Sequence, residues 1–231
     1  MRTGPAFAMN NRILLALPQK EHRLIAPHLK LVDLPGGAVV YEAGESINEL
    51  YFPEGATISY FSDTAAGETL ELCVIGTEGV AGVGAMFADS TAFRAVVQLP
   101  GRAYRIRRDV LRREFRRCDT LHRLLIHYMN ALLVQIAQTA VCNKFHSVEE
   151  RFCRWLLMAH DRSISDEVPI THEALARSLG TRRASVSVTA SALQKKGAIR
   201  YNRGVIRILD RKYLESASCE CYETISAHSS M

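Results

Sequence analysis

The chain lacks the patterns that most enzymes and cofactor proteins carry. Its six cysteines (Cys73, Cys118, Cys142, Cys153, Cys219 and Cys221) form no C-x-x-C pair. They read as reduced thiols of a cytoplasmic protein. His172-Glu173 begins like H-E-x-x-H, but Ala176 stands where the second histidine belongs, so no zinc pair forms. The glycines at 76, 79, 82 and 84 are not followed by Lys-Ser/Thr, which excludes a phosphate-cradling P-loop. No G-x-S-x-G occurs. The eight histidines do not gather with carboxylates at ligand spacing. These absences argue against an enzyme. No apolar run approaches the roughly 18 residues that span a bilayer, so no membrane is expected. The short ILLALP run at 13–18 has no small-residue cleavage site after it and is not a signal peptide. Residues 1–8 are expected to be a tail or an upstream start, since Met9 offers a second one. Cys219-Glu220-Cys221 is the only tight cysteine spacing. A redox or metal role there needs further ligands; without them the two side chains fall on opposite sides of a terminal segment.

Charge is present but segregated. Residues 31–100 hold ten acids and one base, Arg94, for a net charge of 1 − 10 = −9. Residues 171–214 hold ten bases and two acids, for 10 − 2 = +8. One part repels a polyanion and the other attracts it, as in a nucleic-acid-binding domain on a carrier domain. Eight further arginines crowd residues 102–117, around Val110, Leu111 and Phe115. This reads as a strand end running into a helix with a basic face, able to bridge acids of the N-terminal part.

The 231 residues suffice for two modest domains. Residues 31–108 read as short strands broken by glycine turns, as in ATISYF, ETLELCVI, FRAVVQL and RAYRI, which points to a β-sandwich or barrel. From about Asp109 the period becomes helical. LHRLLIHYMNALLVQIAQTAV carries one stripe of Leu121, Leu124, Leu125, Tyr128 and Leu132. A second stripe is Ile126, Met129, Leu133, Ile136 and Ala140. Two apolar faces need two partners. One is the β domain; the other is the same helix of a second chain. The alternative is a helix buried within one chain. Ser147-Val-Glu-Glu150 is a capping box that opens the next helix. The expected divisions are 1–108, a β-barrel sensor domain; 109–146, a long dimerisation helix; and 147–231, a DNA-binding module.

The stretch GTRRASVSVTASALQKKG, residues 180–197, has few large side chains and is a poor core helix. Thr171 is an N-cap for HEALARSL, and Gly180 ends that helix. A second helix, 182–196, turns Val186, Ala190 and Leu193 to one face. The pair is a helix-turn-helix whose second helix enters the major groove. Its small residues allow close approach to base edges, and their methyls suit thymine. Asn202-Arg203-Gly204 between two alternating strands marks a hairpin wing. Contact candidates are Thr181, Arg182, Arg183, Ser185, Ser187 and Thr189. Arg203 is expected to be a phosphate contact, and Lys195 and Lys196 are phosphate contacts at most, or simply a solvated helix end.

The segment ITHEALARSLGTRRASVSVTASALQKKGAIRYNRGVIRILD resembles the winged helix of the Crp/Fnr family of bacterial transcription regulators. The order of parts agrees over nearly the whole chain. The resemblance implies an α+β chain: an N-terminal double-stranded β-helix (jelly-roll) of the cyclic-nucleotide-binding type, a long dimerisation helix, and a C-terminal winged helix-turn-helix. It implies a homodimer on a two-fold symmetric site in double-stranded DNA, with RNA polymerase as a further partner. Members that bind cyclic AMP carry a Gly-Glu pair for the ribose and a strand arginine for the phosphate. Gly82, Val83, Gly84 and Arg94 fall at the corresponding places. Val83 or Gly84 stands where the glutamate would be, so the ribose contact is missing. Arg94 then either holds an anion or pairs with a neighbouring acid. Residues 1–72 contain no cysteine, which excludes the family's N-terminal iron–sulfur centre. The recognition helix keeps Arg183 but has Ala184 and Val188 where many members carry Glu and Arg, so its half-site should differ. A rival reading is a ligand-binding sensor whose winged helix docks a protein partner. A third is a regulator whose jelly-roll has become purely structural.

Overall fold

The computed structural model describes residues 9–163 and 165–229; the expectation for residues 1–8 lies outside them. Two short helices open the chain, α1 (Arg12–Leu15) and α2 (Gln19–Ile25). Ile13, Leu14 and Leu17 are buried, so the ILLALP run anchors the N-terminus in the first core. Asn11 caps α1 and donates its side-chain amide to the carbonyls of Pro53 and Gly79.

Seven strands follow: β1 (Lys30–Leu34), β2 (Val39–Tyr41), β3 (Glu49–Pro53), β4 (Thr57–Asp63), β5 (Thr69–Ile75), β6 (Arg94–Leu99) and β7 (Gly101–Arg107). They make two antiparallel sheets, ordered β1-β7-β3 and β2-β6-β4-β5. This is the expected β-sandwich. Alternation drives it: in β6, Ala95, Val97 and Leu99 are buried while Arg94, Val96 and Gln98 stand on the other face. Arg94 therefore points out of the sandwich. It pairs with Asp63 at 3.1 Å and lies over the Phe61 ring. Of the two roles foreseen for it, pairing with an acid is the one formed. The arginine-rich stretch behaves similarly: Arg105 pairs with Glu49, and Arg108 with Asp89.

Helix α3 (Arg108–Phe115) leads into the 27-residue α4 (Asp119–Phe145). The Glu21 carboxylate accepts from the N–H groups of Thr120 and Leu121 at 3.1 and 2.9 Å, capping α4 from α2. By length and composition α4 could cross a bilayer. This corrects the expectation that no apolar run approaches that length. His127, Asn130, Gln135 and Gln138 interrupt the run without adding fixed charge. One side of α4 packs on the sandwich through Leu121, Leu125 and Tyr128. On the same side Gln135 accepts from the Val74 N–H at 2.6 Å and donates to its carbonyl at 3.2 Å. Those three apolar residues therefore belong to the chain's own core and not to a dimer seam. Leu132, Met129 and Ile136 are partly buried, and Leu133 is 64% exposed.

The C-terminal part comprises α5 (Val148–His160), β8 (Glu167–Pro169), α6 (His172–Ser178), α7 (Arg183–Lys195), β9 (Ile199–Asn202), β10 (Val205–Ile208), α8 (Arg211–Ala217) and α9 (Cys221–Ser229). The Ser147/Glu150 capping box is formed. Its core gathers Phe152, Trp155, Leu156, Leu175, Leu179, Val186, Ala190, Leu193, Ile206 and Leu214, and includes Leu99 of β6. Buried polar groups join the two parts. Trp155 Nε1–H and Ser178 Oγ–H donate to the Glu71 carboxylate at 2.9 and 2.8 Å. Arg162 pairs with Glu78 at 2.8 Å. Helix α9 returns to pack on α4, a contact the sequence did not announce.

Candidate nucleic-acid interface

Thr171 caps α6, its Oγ1 accepting from the Ala174 N–H at 3.1 Å. The helix closes at Gly180, whose φ of +55° is the left-handed conformation that glycine adopts without strain. The Thr181 N–H returns to the Ala176 carbonyl at 3.0 Å, completing the turn. Helix α7 then starts with no acid in its first turn and with Arg182 as an N-cap residue that makes no side-chain cap. The positive end of the helix dipole is thus reinforced by Arg182 and Arg183 instead of neutralised, an arrangement that favours phosphate.

Val186, Ala190 and Leu193 are buried, as their spacing predicts. The opposite stripe, Ala184, Val188, Ser191 and Lys195, is exposed, with Val188 at 71%. Arg182 and Arg183 are exposed beside it, and Thr181, Ser185 and Ser187 are half-buried on its flank. Thr189 is 9% exposed and faces the core side, which removes it from the contact candidates. Ser187 is already engaged: its Oγ lies 3.0 Å from His172 Nδ1. His172 in turn stacks on Tyr201 at 4.0 Å. Burial, and then the Arg183 charge, hold His172 below its ordinary pKa.

The wing is the β9–β10 hairpin in a sheet ordered β8-β10-β9. Asn202 pairs with Val205, leaving Arg203 and Gly204 as a two-residue turn. Both have positive φ, 44° and 83°, as a type I′ hairpin turn requires. Arg203 is therefore exposed at the tip. Arg200 and Arg207 pair across the two strands and are also exposed.

Three of the ten bases in this part are used internally. Lys196 donates to Glu149 at 2.8 Å and lies over the Tyr213 ring. Arg211 pairs with Asp161 and Glu215 at 2.8 Å each. Arg177 is 3.8 Å from Glu173. Lys196 thus fastens the end of α7 to the start of α5 and is not a free phosphate contact. Arg182, Arg183, Lys195, Arg200, Arg203, Arg207 and Lys212 are exposed and have no ion pair among the described residues. Ala184, Val188 and Ser191 were not among the sequence candidates. Their signal was available, since they lie half a turn away from Val186, Ala190 and Leu193.

A helix-turn-helix with a basic start, an exposed small-residue stripe and an arginine-tipped wing has the shape and charge that suit a DNA groove. Residues 150–217 match the sequence pattern of the Crp-like helix-turn-helix domain. This region is a Crp-like helix-turn-helix domain. Solved structures extend the likeness to the rest of the chain. FixK2 of Bradyrhizobium japonicum has a TM-score of 0.72 at 14% identity, over 83% of this chain and 98% of its own. TTHB099, a CRP-family transcriptional regulator of Thermus thermophilus, has a TM-score of 0.67 at 19% identity, over 82% and 96%. CLP of Xanthomonas campestris, a c-di-GMP-responsive global regulator, has a TM-score of 0.64 at 16% identity, over 84% and 100%. No curated protein is significantly similar to the chain in sequence. The chain therefore has the fold of the Crp/Fnr transcription regulators, with the Crp-like domain at its C-terminal end.

The region corresponding to an effector site is apolar. A cavity of about 250 Å³ lies between the 82–93 segment and α4, lined by Val83, Gly84, Tyr60, Phe93, Met129, Leu132, Leu133 and Ile136 among others. Gly82 borders this region and donates its N–H to the Tyr60 hydroxyl at 2.6 Å. No charged side chain lines the cavity. Arg94 instead lines a separate cleft with Thr171, Ala174 and Arg177 of the Crp-like domain. The structure thus splits the four sequence candidates: the 82–84 residues lie by the cavity and Arg94 does not.

Proposed function

We propose that this chain is a cytoplasmic, homodimeric transcription regulator that reads a two-fold symmetric site in double-stranded DNA. The observation that carries the reading is the outward stripe of α7, Arg183, Ala184, Val188 and Ser191. Arg183 is the guanine-reading candidate, worth about 1–3 kcal/mol of discrimination as a bidentate contact. Val188 and Ala184 offer methyls to thymine. Arg182, Lys195, Arg200, Arg203 and Arg207 hold phosphates and set the register.

Dimerisation is supported by the free face of α4. Ile126, Met129, Leu133, Ile136 and Ala140 follow the 3-4-3-4 spacing of a coiled-coil seam, and Ile126, Leu133, Val141 and Phe145 are exposed in the single chain. Two copies joined there would carry two recognition helices related by a two-fold axis. RNA polymerase is the protein partner this role implies, and no catalytic role is proposed. The apolar, uncharged cavity does not suit the phosphate of cyclic AMP or of a cyclic dinucleotide. It suits a small apolar effector or none. Because it shares Met129, Leu133 and Ile136 with the seam, an occupant would bias the helix pair directly.

The test is selection of genomic fragments by the purified protein and by Arg183→Ala at two salt concentrations. Enrichment of a palindromic site that the variant no longer prefers supports the reading. Wild-type binding that neither selects a site nor weakens with salt overturns it in favour of protein docking.

A further inference from the structure

The two C-terminal cysteines of the C-E-C sequence do not stand alone. Cys219 lies before α9 and Cys221 is its first residue. Both meet the end of α4, where Cys142 and His146 sit one turn apart. The Cys142 and Cys219 sulfurs are 3.5 Å apart, and Cys221 Sγ is 3.6 Å from His146 Nδ1. The four ligand atoms all lie within 4.8 Å of one another. We propose that Cys142, His146, Cys219 and Cys221 form a closed tetrahedral site for one zinc-like divalent cation.

Three features carry it. The first is spacing. Four ligands around one zinc, with Zn–S near 2.3 Å and Zn–N near 2.1 Å, stand about 3.5–3.8 Å apart by tetrahedral geometry. Two of the observed separations, Cys142–Cys219 at 3.5 Å and Cys221–His146 at 3.6 Å, lie at that value, and none of the others exceeds 4.8 Å, so a closure of about 1 Å at most completes the tetrahedron.

The second is the outer shell. His146 Nε2 is 3.2 Å from the Glu220 carboxylate, leaving Nδ1 toward the sulfurs. A carboxylate on the far imidazole nitrogen is the usual device that fixes the tautomer of a metal-bound histidine. Glu220 sits between the two cysteines in sequence, so the C-E-C segment supplies two ligands and the orienting group.

The third is charge. Arg151 and Arg154 are buried beside the cluster. Neither forms an ion pair with a carboxylate among the described residues, and the Nε of each has no hydrogen-bond partner. Their hydrogen bonds go to neutral acceptors only: Arg151 Nη1 donates to Asn143 Oδ1 and the Leu179 carbonyl, and Arg154 Nη1 to Met158 Sδ. Buried guanidinium groups without a paired anion are costly. Three thiolates and one dication give the site a net charge of −1, which supplies it. Binding releases three thiol protons to solvent.

With all four positions filled by protein, the ion is structural. It ties the C-terminal end of α4 to α9, just before the Ser147 cap where the chain enters the Crp-like domain. It would thus stiffen the hinge between the long helix and that domain. The site stands on this geometry whether or not the DNA reading holds.

Metal analysis tests it directly. The full chain, purified under reducing conditions without chelator and incubated with Zn²⁺ before desalting, should hold about one equivalent per chain. Cys219→Ser and Cys221→Ser should lose most of it, while Cys153→Ser, which alters a cysteine outside the cluster, should keep it. Wild-type protein exchanged with Co²⁺ should show the thiolate charge-transfer and tetrahedral d–d bands, a readout that does not depend on the variants folding. Metal-free wild type after the Zn²⁺ incubation would overturn the proposal. So would zinc retained by folded Cys219→Ser, a Cys142–Cys219 disulfide in the reduced preparation, or an iron–sulfur spectrum.

Discussion

Glu71 is a carboxylate sealed between the two halves of the molecule. Burial raises its pKa above the ordinary glutamate value, against the lowering effect of its hydrogen bonds from Ser178 and Trp155. A raised folded-state pKa means that ionised Glu71 costs stability. The cost is absent below the ordinary glutamate pKa and appears as pH rises through the raised value. Glu71→Gln keeps an acceptor for Trp155 and Ser178, so it should leave stability unchanged or raise it at neutral pH and flatten this part of the pH profile. Glu71→Ala strands both donors and should cost about 1–3 kcal/mol for each. Urea unfolding of the three proteins at acid and neutral pH measures both effects. Two adjacent lysines make a second contrast. Lys195→Ala should lower the salt slope of DNA binding by about 1, whereas Lys196→Ala should leave it unchanged, because Lys196 is bound to Glu149. An equal loss from both would remove the distinction drawn between them.

At the scale of elements, α4 and α7 each present one buried face and one exposed face. In α7 the sequence period identified the buried face, and the exposed face follows from it by half a turn. Reading hydroxyls as contacts placed Thr189 on the wrong side, because a threonine is compatible with either environment and only its position on the helix decides. In α4 the two stripes were legible, but Leu121, Leu125 and Tyr128 had to be seen against the sandwich before the seam could be confined to the other stripe. Leu133→Asp should therefore shift the protein from dimer to monomer in analytical ultracentrifugation while leaving its circular dichroism intact. A dimer that survives it would place the interface elsewhere.

For the whole molecule, the segregation of charge fixes how the two halves divide the work. The sandwich is acidic, and the Crp-like domain carries the exposed bases that have no ion pair among the described residues in 171–214. The cavity between the sandwich and the long helix has no cation. Saturating cyclic AMP should accordingly leave the melting temperature unchanged, since a ligand bound only to the native state must raise it. A rise of several degrees would require a phosphate-binding group where the structure has none.

The sequence by itself determined the order of the three parts, the sandwich, the helix-turn-helix, the wing and the basic surface, but not α1, α2, α8 or α9. Each depends on local periodicity, caps and turn residues, which act over a few positions. Only the tertiary structure decided the direction of Arg94, the capture of Lys196 by Glu149, and the meeting of Cys142 and His146 with Cys219 and Cys221. Those pairings join residues up to 79 positions apart, Cys142 to Cys221. No local rule constrains them: the β4–β6 pairing brings Asp63 to Arg94, the packing of α5 on α7 brings Glu149 to Lys196, and the packing of α9 on α4 gathers the cysteines and His146.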